Sequence, residues 1–257
     1  MLNSNLIFLK NSFFRKFITF IRLFFYVKIL KSVKSLSSNS KNISPLSIES
    51  NLRVLIPNNN LPSYSKLSYF LGIGTNVAGY KSNMLLAVID SIYSATFINK
   101  NSIDLLIIGP RTEGEIFLCQ SFGYLKDKID AIDLFSYSPL IRLGDMHDIP
   151  AKDSSYNLVL CGWVLAYSDN KKLAISEIIR VCKDQAYICI GASYLAKSSH
   201  EQFLERGYII GSSDKFYNSD DILTFFDGYN YDIVYNVNSV KTLKHSQILL
   251  IIKINKC

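Results

Sequence analysis

Apolar runs of strand length alternate along the chain with stretches in which apolar residues recur every three or four positions. A continuous apolar run is typical of a strand covered on both faces, and the spaced pattern is typical of a helix that buries one face. Strands are therefore predicted over residues 103–108, 129–134, 156–161 and 185–190, and helices over 83–98, 113–122 and 170–182. The alternation predicts a doubly wound, mostly parallel α/β sheet with right-handed crossovers.

The pattern changes near the end of the chain, where two predicted strands follow each other without a helix between them. A short helix is predicted over residues 220–226, and the strands cover 231–237 and 247–254. Strands joined in this way pair antiparallel, so we expect the sheet to end in an antiparallel hairpin.

One connection is too short for the expected crossover. Only residues 135–142 lie between the second strand and Leu143-Gly144, whereas a parallel crossover needs about a dozen residues or more. We therefore predict that a helix is missing here, with the third strand reduced to a stub or replaced by an extended loop.

The positive charge is concentrated at the N-terminus. The net charge is +7, yet residues 1–48 hold eight Lys or Arg and no Asp or Glu, which leaves 20 basic and 21 acidic residues in the rest. This near-neutral remainder argues against a broad phosphate-binding surface, so we expect no nucleic-acid partner. The chain is predicted to divide into a basic N-terminal helix (1–36), a polar linker (37–48) and an α/β domain (49–257).

The predicted N-terminal helix has an apolar stripe of residues spaced three and four apart: Leu6, Leu9, Phe13, Phe17, Phe20, Phe24 and Val27. Its charge-free runs are too short to span a bilayer, and it lacks the apolar centre of a secretory signal. Three interpretations remain open: residues 6–36 lie on an anionic membrane surface, pack on this domain or a partner, or direct import into an organelle. We expect a cytoplasmic protein, which the first interpretation would attach peripherally to the membrane.

The cysteines and histidines do not form a metal-binding pattern. Five cysteines are spread without C-x-x-C spacing, and three histidines are scattered. An odd, dispersed set of cysteines favours a reducing compartment without a disulfide framework, and we predict no metal site.

Five segments, in their order and at their spacings, resemble the core of class I S-adenosylmethionine-dependent methyltransferases of the type 11-like group. They read D-L-L-I-I-G-P-R-T-E-G-E (104–115), A-I-D-L-F (131–135), G-D-M-H-D-I-P (144–150), Y-N-L-V-L-C-G-W-V-L-A-Y (156–167) and Q-A-Y-I-C-I-G (185–191). The resemblance extends from residue 83 to the last residue. It implies a Rossmann-like fold, S-adenosylmethionine as the cofactor and methyl transfer as the reaction.

The resemblance also implies a cofactor site beyond the carboxyl ends of the strands, where open α/β sheets bind their ligands. Asp133 is expected to accept hydrogen bonds from both ribose hydroxyls, and Asp145 and Met146 are expected to contact the adenine. Gly162 and Trp163 are expected where cofactor and substrate meet. The missing helix would leave the adenine side of the site more open.

The glycine turn departs from the family pattern. Gly109 and Gly114 are kept, but the acid two residues before Gly109 is lost, and Arg111 and Glu113 stand where further glycines are expected. We hypothesise that Arg111 contacts the carboxylate end of the cofactor and that Glu113, or Glu115 nearby, replaces the lost acid. The alternative is that the two glutamates only begin a helix at its positive end.

Methyl transfer to a hydroxyl also needs a general base, for which His147, Tyr167 and Asp169 are the candidates. The expected acceptor is a small molecule, a saccharide or a lipid-linked glycoconjugate. The main alternative is a non-catalytic member of the same fold that serves as a binding or scaffold protein at a membrane surface. A nicotinamide-dependent oxidoreductase is a further alternative, against which the missing G-x-G-x-x-G fingerprint counts.

Overall fold

The computed structural model describes residues 34–35, 80–110, 113–136, 139–195, 216–238 and 245–256. Most of the predicted N-terminal helix, the predicted linker and the predicted start of the domain lie outside these residues, and so does Arg111. Within the predicted N-terminal helix, the two described residues are extended instead. The three interpretations of residues 6–36 therefore stay predictions.

The described residues form nine strands in two sheets. The strands are β1 (Lys34–Ser35), β2 (Leu105–Ile108), β3 (Ile129–Asp133), β4 (Phe135–Ser136), β5 (Arg142–Leu143), β6 (Tyr156–Gly162), β7 (Cys182–Leu195), β8 (Tyr231–Val237) and β9 (His245–Ile254). The main sheet has the order β5-β3-β2-β6-β7-β9-β8, and β1 pairs separately with β4. Strands β5, β3, β2, β6 and β7 are parallel, while β9 runs antiparallel to both β7 and β8. The predicted mostly parallel sheet with an antiparallel end is confirmed.

Four α-helices accompany the sheet in the described ranges: α1 (Tyr80–Ala95), α2 (Gly114–Ser121), α3 (Lys171–Val181) and α4 (Ser219–Leu223). Each lies within a few residues of its predicted bounds. Helix α3 begins after Asn170, whose side chain accepts a hydrogen bond from the Leu173 N–H, and α4 begins with a capping box formed by Asn218 and Asp221. Helix α1 ends earlier than predicted, and Phe97 just beyond it has a positive φ of 54° and is exposed.

The sheet is covered on both faces, as the continuous apolar runs predict. In β2, Leu106 and Ile108 pack in a core cluster with α3 and α4, whereas Leu105 and Ile107 pack in a second cluster with α1 and α2. All four side chains are almost completely buried. Full burial of one such side chain stabilises the fold by about 1.5–3 kcal/mol, so these clusters fix the positions of the strand ends.

The predicted missing helix is confirmed for the described residues between β3 and β5. Strand β5 is a two-residue stub that pairs parallel with the last two residues of β3. Asp130 holds the stub in place, because its carboxylate accepts hydrogen bonds from Nε and Nη2 of Arg142 and from the Tyr156 hydroxyl at 2.6 Å. Ion pairing and hydrogen bonding thus replace the packing that a crossover helix would provide.

Candidate functional site

The chain order of the sheet reverses between β2 and β6, which are neighbours although β3 and β5 lie between them in sequence. Crevices at such switch points, beyond the carboxyl ends of the strands, are the usual ligand sites of open α/β sheets. Gly109 follows β2, Gly162 ends β6, and Asp133 ends β3. The structure therefore brings three of the predicted cofactor-binding positions to one edge of the sheet.

Gly109 occupies a position that only glycine fits. Its φ is +66°, and a Cβ there would lie 2.5 Å from Cγ2 of Val164. Its N–H donates to the carbonyl of Ile132 at 2.8 Å, which ties the turn to β3. The close approach allows the segment after β6 to pack directly against the turn after β2.

The two glutamates of the turn take different places. Glu113 is buried just before α2, and its side chain does not cap the helix. Glu115 lies in the first turn of α2, where its Oε1 accepts a hydrogen bond from the Ser82 hydroxyl of α1 at 2.7 Å. A Cβ on Gly162 would lie 3.0 Å from the Ser82 Oγ and 4.0 Å from this same carboxylate oxygen. Glu115 therefore reaches the carboxyl end of β6, and Ser82 is a site residue that the sequence analysis missed.

Asp133 is half-buried at the end of β3, and its carbonyl accepts a hydrogen bond from the Gly144 N–H at 3.0 Å. Gly144 is needed for a different reason from Gly109, since its φ is not positive. A Cβ on Gly144 would lie 3.0 Å from the Cβ of Ile132 and 3.2 Å from the Cδ of Pro150. The loop 144–150 thus begins in close contact with the end of β3.

Asp145 and His147 are joined within this loop. The Asp145 Oδ1 accepts from the His147 backbone N–H at 2.9 Å and lies 2.6 Å from His147 Nδ1, while His147 Nε2 lies 2.6 Å from the Ser168 Oγ. The His147 side chain is 1% exposed and the Asp145 side chain 15% exposed. Asp145 is therefore held by His147 at the edge of the site.

Met146 follows Asp145 in the same loop. Its side chain is buried in the core cluster that contains Ile132 of β3 and several residues of α3. The contact of Met146 with adenine stays a prediction.

The same loop is anchored from α3 by an ion pair. The Ile149 N–H donates to Glu177 Oε2 at 3.0 Å, and Arg180 donates to the carbonyls of Ile149 and Ala151, both at 2.9 Å. Arg180 also pairs with Glu177 at 2.8 Å. The hydrogen bond from Arg180 lowers the pKa of the Glu177 carboxyl. Burial acts in the opposite direction, and the hydrogen bond from the Ile149 N–H lowers the pKa further. The loop is therefore held by side chains on both of its sides.

Trp163 is held in a strained position after β6. Its φ is +60°, which is rare for a bulky residue and costs of order 1–3 kcal/mol. The indole N–H donates to Gln247 Oε1 at 2.7 Å, which also accepts from the Ser193 hydroxyl at 3.1 Å. A Cβ on Gly191 would lie 2.7 Å from the ring, so this glycine admits the indole. Trp163 is half-buried and forms a fixed wall above β7.

The three candidate bases differ in exposure. His147 is buried, and both of its ring nitrogens are hydrogen-bonded inside the protein. A general base must reach the proton that it removes, and neither nitrogen of His147 is open to an acceptor in this arrangement. Tyr167 is half-buried in the 3₁₀ turn Leu165–Tyr167, and Asp169 is exposed beyond it. These two stay candidates.

The described cysteines are packing residues. Cys119, Cys161, Cys182 and Cys189 are buried and free, and burial raises the pKa of Cys161 and Cys182 to about 12. Thiols of this kind are poor nucleophiles at neutral pH. Among the described residues, no group of three or more His, Cys, Asp or Glu is placed to bind a metal ion. In the same part of the chain, no helix combines the length and hydropathy that crossing a bilayer requires.

A comparison with known proteins finds a match for the segment that contains Asp133, Asp145, Met146, Gly162 and Trp163. Residues 125–190 match the family model described as "Methyltransferase domain". This match covers β3, the loop 144–150, β6 and α3, and it confirms the resemblance to class I S-adenosylmethionine-dependent methyltransferases. No match was found among curated proteins.

Several solved structures are similar to this chain. One is the MccD protein, with 16% identity, a TM-score of 0.49 and coverage of 65% of this chain and 96% of that chain. Another is a SAM-dependent methyltransferase from Methanosarcina mazei, with 16% identity, a TM-score of 0.47 and coverage of 63% and 97%. A third is an S-adenosylmethionine-dependent methyltransferase from Mesorhizobium loti, with 9% identity, a TM-score of 0.46 and coverage of 63% and 96%.

Proposed function

We propose that this chain is an S-adenosylmethionine-dependent methyltransferase whose acceptor is a small molecule, a saccharide or a lipid-linked glycoconjugate. The observation that carries the proposal is the convergence of Asp133, Asp145 and Glu115 on the carboxyl edge of a sheet with its order reversal between β2 and β6. The family match over residues 125–190 supports the same reading independently.

The residues at this edge fit the chemistry of the cofactor. A carboxylate only accepts hydrogen bonds, and the cofactor offers donors at its ribose hydroxyls, its adenine amino group and its ammonium group. We assign Asp133 to the ribose, Asp145 to the adenine amino group, and Glu115 with Ser82 to the ammonium group. Bound S-adenosylmethionine would supply an activated methyl group, so the protein's task is to orient the two reactants.

The acceptor would bind on the side of Trp163. The Trp163 indole is fixed by Gln247 and by Gly191. Tyr194, near the end of β7, lies close to Tyr217 just before α4, with ring centroids 6.2 Å apart. Tyr217 is exposed. Aromatic rings with polar edges suit an acceptor that has an apolar face and hydroxyl groups, which supports a ring-shaped acceptor such as a sugar. Tyr167 and Asp169 are the candidates to remove its proton.

Isothermal titration calorimetry of the full-length chain with S-adenosylmethionine, S-adenosylhomocysteine and NAD tests the proposal. We expect both adenosyl compounds to bind and NAD to remain unbound. The Asp133→Asn variant should bind both adenosyl compounds more weakly, since the substitution removes the negative charge of the acceptor and keeps the shape of the side chain. Absence of binding by the first two at millimolar concentrations would refute the methyltransferase function.

A non-catalytic binding or scaffold protein at a membrane is the second candidate. Buried Glu113, at a position where the family carries a glycine, favours it because a side chain there reduces the room for a ligand. Flotation with anionic liposomes tests the membrane part: replacing Arg15, Lys16 and Arg22 by Gln should reduce the floated fraction. Equal recovery of the variant and the wild type would exclude an electrostatic attachment through residues 6–36.

A further inference from the structure

A buried hydrogen-bonded chain connects the two loops that border the candidate site. It runs from Asp145 Oδ1 to His147 Nδ1 and from His147 Nε2 to Ser168 Oγ, with both separations at 2.6 Å. Ser168 is completely buried, so it is not placed to attack a substrate. The chain is therefore a connection inside the protein.

The chemistry of the three groups fixes the direction of each hydrogen bond. The carboxylate of Asp145 only accepts, so Nδ1 of His147 carries a hydrogen and donates it. In the neutral ring Nε2 then accepts, and the Ser168 hydroxyl is its donor. Asp145 Oδ1 also receives the backbone N–H of His147 at 2.9 Å. Two donors from one residue thus set the plane in which the carboxylate lies.

Ser168 passes the connection on to the beginning of α3. Its Oγ accepts from the Asn170 N–H at 3.1 Å, and its carbonyl accepts from the buried Lys171 Nζ at 2.9 Å. Asn170 in turn caps α3 through Leu173. The same hydrogen-bonded chain therefore links Asp145 to the N-terminus of α3. This terminus directly follows the segment that contains Trp163, Tyr167 and Asp169.

We propose that His147 is a positioning residue: it orients Asp145 to select a purine that carries an amino group at its six-position. The inference rests on the proposed function. A carboxylate held in a fixed plane accepts from an exocyclic amino group and opposes an oxo group, which presents only lone pairs. Selection then depends on the hydrogen bond from Nδ1, because without it the carboxylate is free to turn from the oxo group and accept from the N1–H of a 6-oxopurine.

Two substitutions of His147 each remove one of the two hydrogen bonds that the imidazole ring makes. In His147→Asn, the amide nitrogen takes the place of Nδ1, so the bond to Asp145 is kept and the bond to Ser168 is lost. In His147→Gln, the longer amide takes the place of Nε2, so the bond to Ser168 is kept and the bond to Asp145 is lost. Glu177→Gln is the matched control, since it loosens loop 144–150 at Ile149 without contacting Asp145.

The readout is the ratio of the dissociation constants of S-inosylhomocysteine and S-adenosylhomocysteine, measured by calorimetry on full-length proteins. The two compounds differ at the six-position of the purine, which carries an oxo or an amino group, and at N1, which carries a hydrogen only in the oxo compound. We expect the wild type to prefer the amino compound by about tenfold or more, because the wrong base leaves a polar group unsatisfied. His147→Gln should lose most of this preference and His147→Asn should keep it. Glu177→Gln should weaken the binding of both compounds by the same factor, so the ratio of their dissociation constants should not change.

The outcomes distinguish the two proposals. A wild type that binds neither compound refutes the proposed function and this inference with it. A wild type that prefers the amino compound, together with a folded His147→Gln variant of unchanged ratio, refutes the inference alone. If His147→Gln does not fold, the downfield imidazole N–H resonance of His147 in the wild type decides: we expect saturation with S-adenosylhomocysteine to shift it, and an unchanged resonance overturns the inference.

Discussion

Two glycine-led loops follow β2 and β5, which lie on either side of β3 in the sheet, and they keep the family pattern to different extents. In the turn after β2, residues 109–115, most of the pattern is lost, and the chain's own side chains fill the space: Val164 packs on Gly109 and Glu113 is buried. In loop 144–150 the pattern is kept, and the loop is held by Ser168, Glu177 and Arg180. In the proposed cofactor site, the half that we assign to the nucleotide (Asp133 and Asp145, the nucleotide half) is therefore held by these side-chain contacts. The half that we assign to the methionine end (Glu115 and Ser82, the methionine half) depends on side chains outside the family pattern.

The largest expected effect is on folding stability, and it differs between Gly109 and Gly144. Gly109→Ala should destabilise the fold by about 2–4 kcal/mol, because it combines a positive φ with a contact of 2.5 Å to Val164. Gly144→Ala should cost less, about 1–2 kcal/mol, since only packing against Ile132 and Pro150 opposes it. Urea unfolding at pH 7 measures both.

Gly228→Ala provides the control for backbone strain. Its φ is +89°, but nothing lies within 4 Å of the position of the added Cβ. We expect a loss of about 1 kcal/mol from conformation alone. If Gly109→Ala cost no more than Gly228→Ala, the close packing of Val164 on the turn would have no energetic weight.

The next effect concerns the nucleotide half. Asp133→Asn should weaken the binding of S-adenosylhomocysteine by about tenfold to a hundredfold, because a hydrogen bond to a charged group contributes about 1.5–3 kcal/mol. Calorimetry gives the affinity, and urea unfolding shows whether the fold is retained. Adenosine, which has the same ribose, should lose affinity by the same factor. A variant that binds both compounds as the wild type does would remove Asp133 from the site.

A smaller effect is expected in the methionine half. Glu115→Gln should weaken S-adenosylhomocysteine by about threefold to tenfold, because its carboxylate would face the ammonium group in a partly solvated place. Adenosine lacks that group and should bind unchanged. If Glu115 only begins α2 at its positive end, the substitution should instead lower stability by about 0.3–1 kcal/mol and weaken neither compound selectively. The ratio of the two affinities therefore decides between the roles.

The sequence predicts the sheet well because its strands are covered on both faces. The run Leu105–Ile108 needs apolar residues at every position, whatever helices cover it, and the strand follows from the run alone. The stub β5 also follows from length, since a helix cannot fit into the few residues that precede it. The local sequence pattern is sufficient to predict a strand when every residue of that strand is buried.

The sequence predicts the site less completely because its contacts are long-range. His147 contacts Ser168, which lies 21 positions later in the chain. Ser82 reaches Glu115 across 33 positions, and Gln247 reaches Trp163 across 84. No local spacing announces these pairs.

The smallest expected effect is the dependence of the stub β5 on pH. Burial acts to raise the pKa of Asp130, but hydrogen bonds from Arg142 and Tyr156 outweigh it, and the net pKa is lowered. A lowered pKa means that the folded state favours the ionised carboxylate. The stabilisation is therefore complete above the ordinary value of about 3.9 and is lost as the pH falls through the lower folded value.

Asp130→Asn should remove this part of the acid sensitivity. We expect lower stability at pH 7 and a flatter decline below about pH 4 in urea unfolding, whereas Asp227→Asn, at an exposed position, should leave the decline as it is. The flattening is only partial, because Asp104 and Glu177 also have lowered pKa values. An unchanged decline in Asp130→Asn would mean that Arg142 does not hold β5 against β3. The nucleotide half would then be braced from α3 and Ser168 alone.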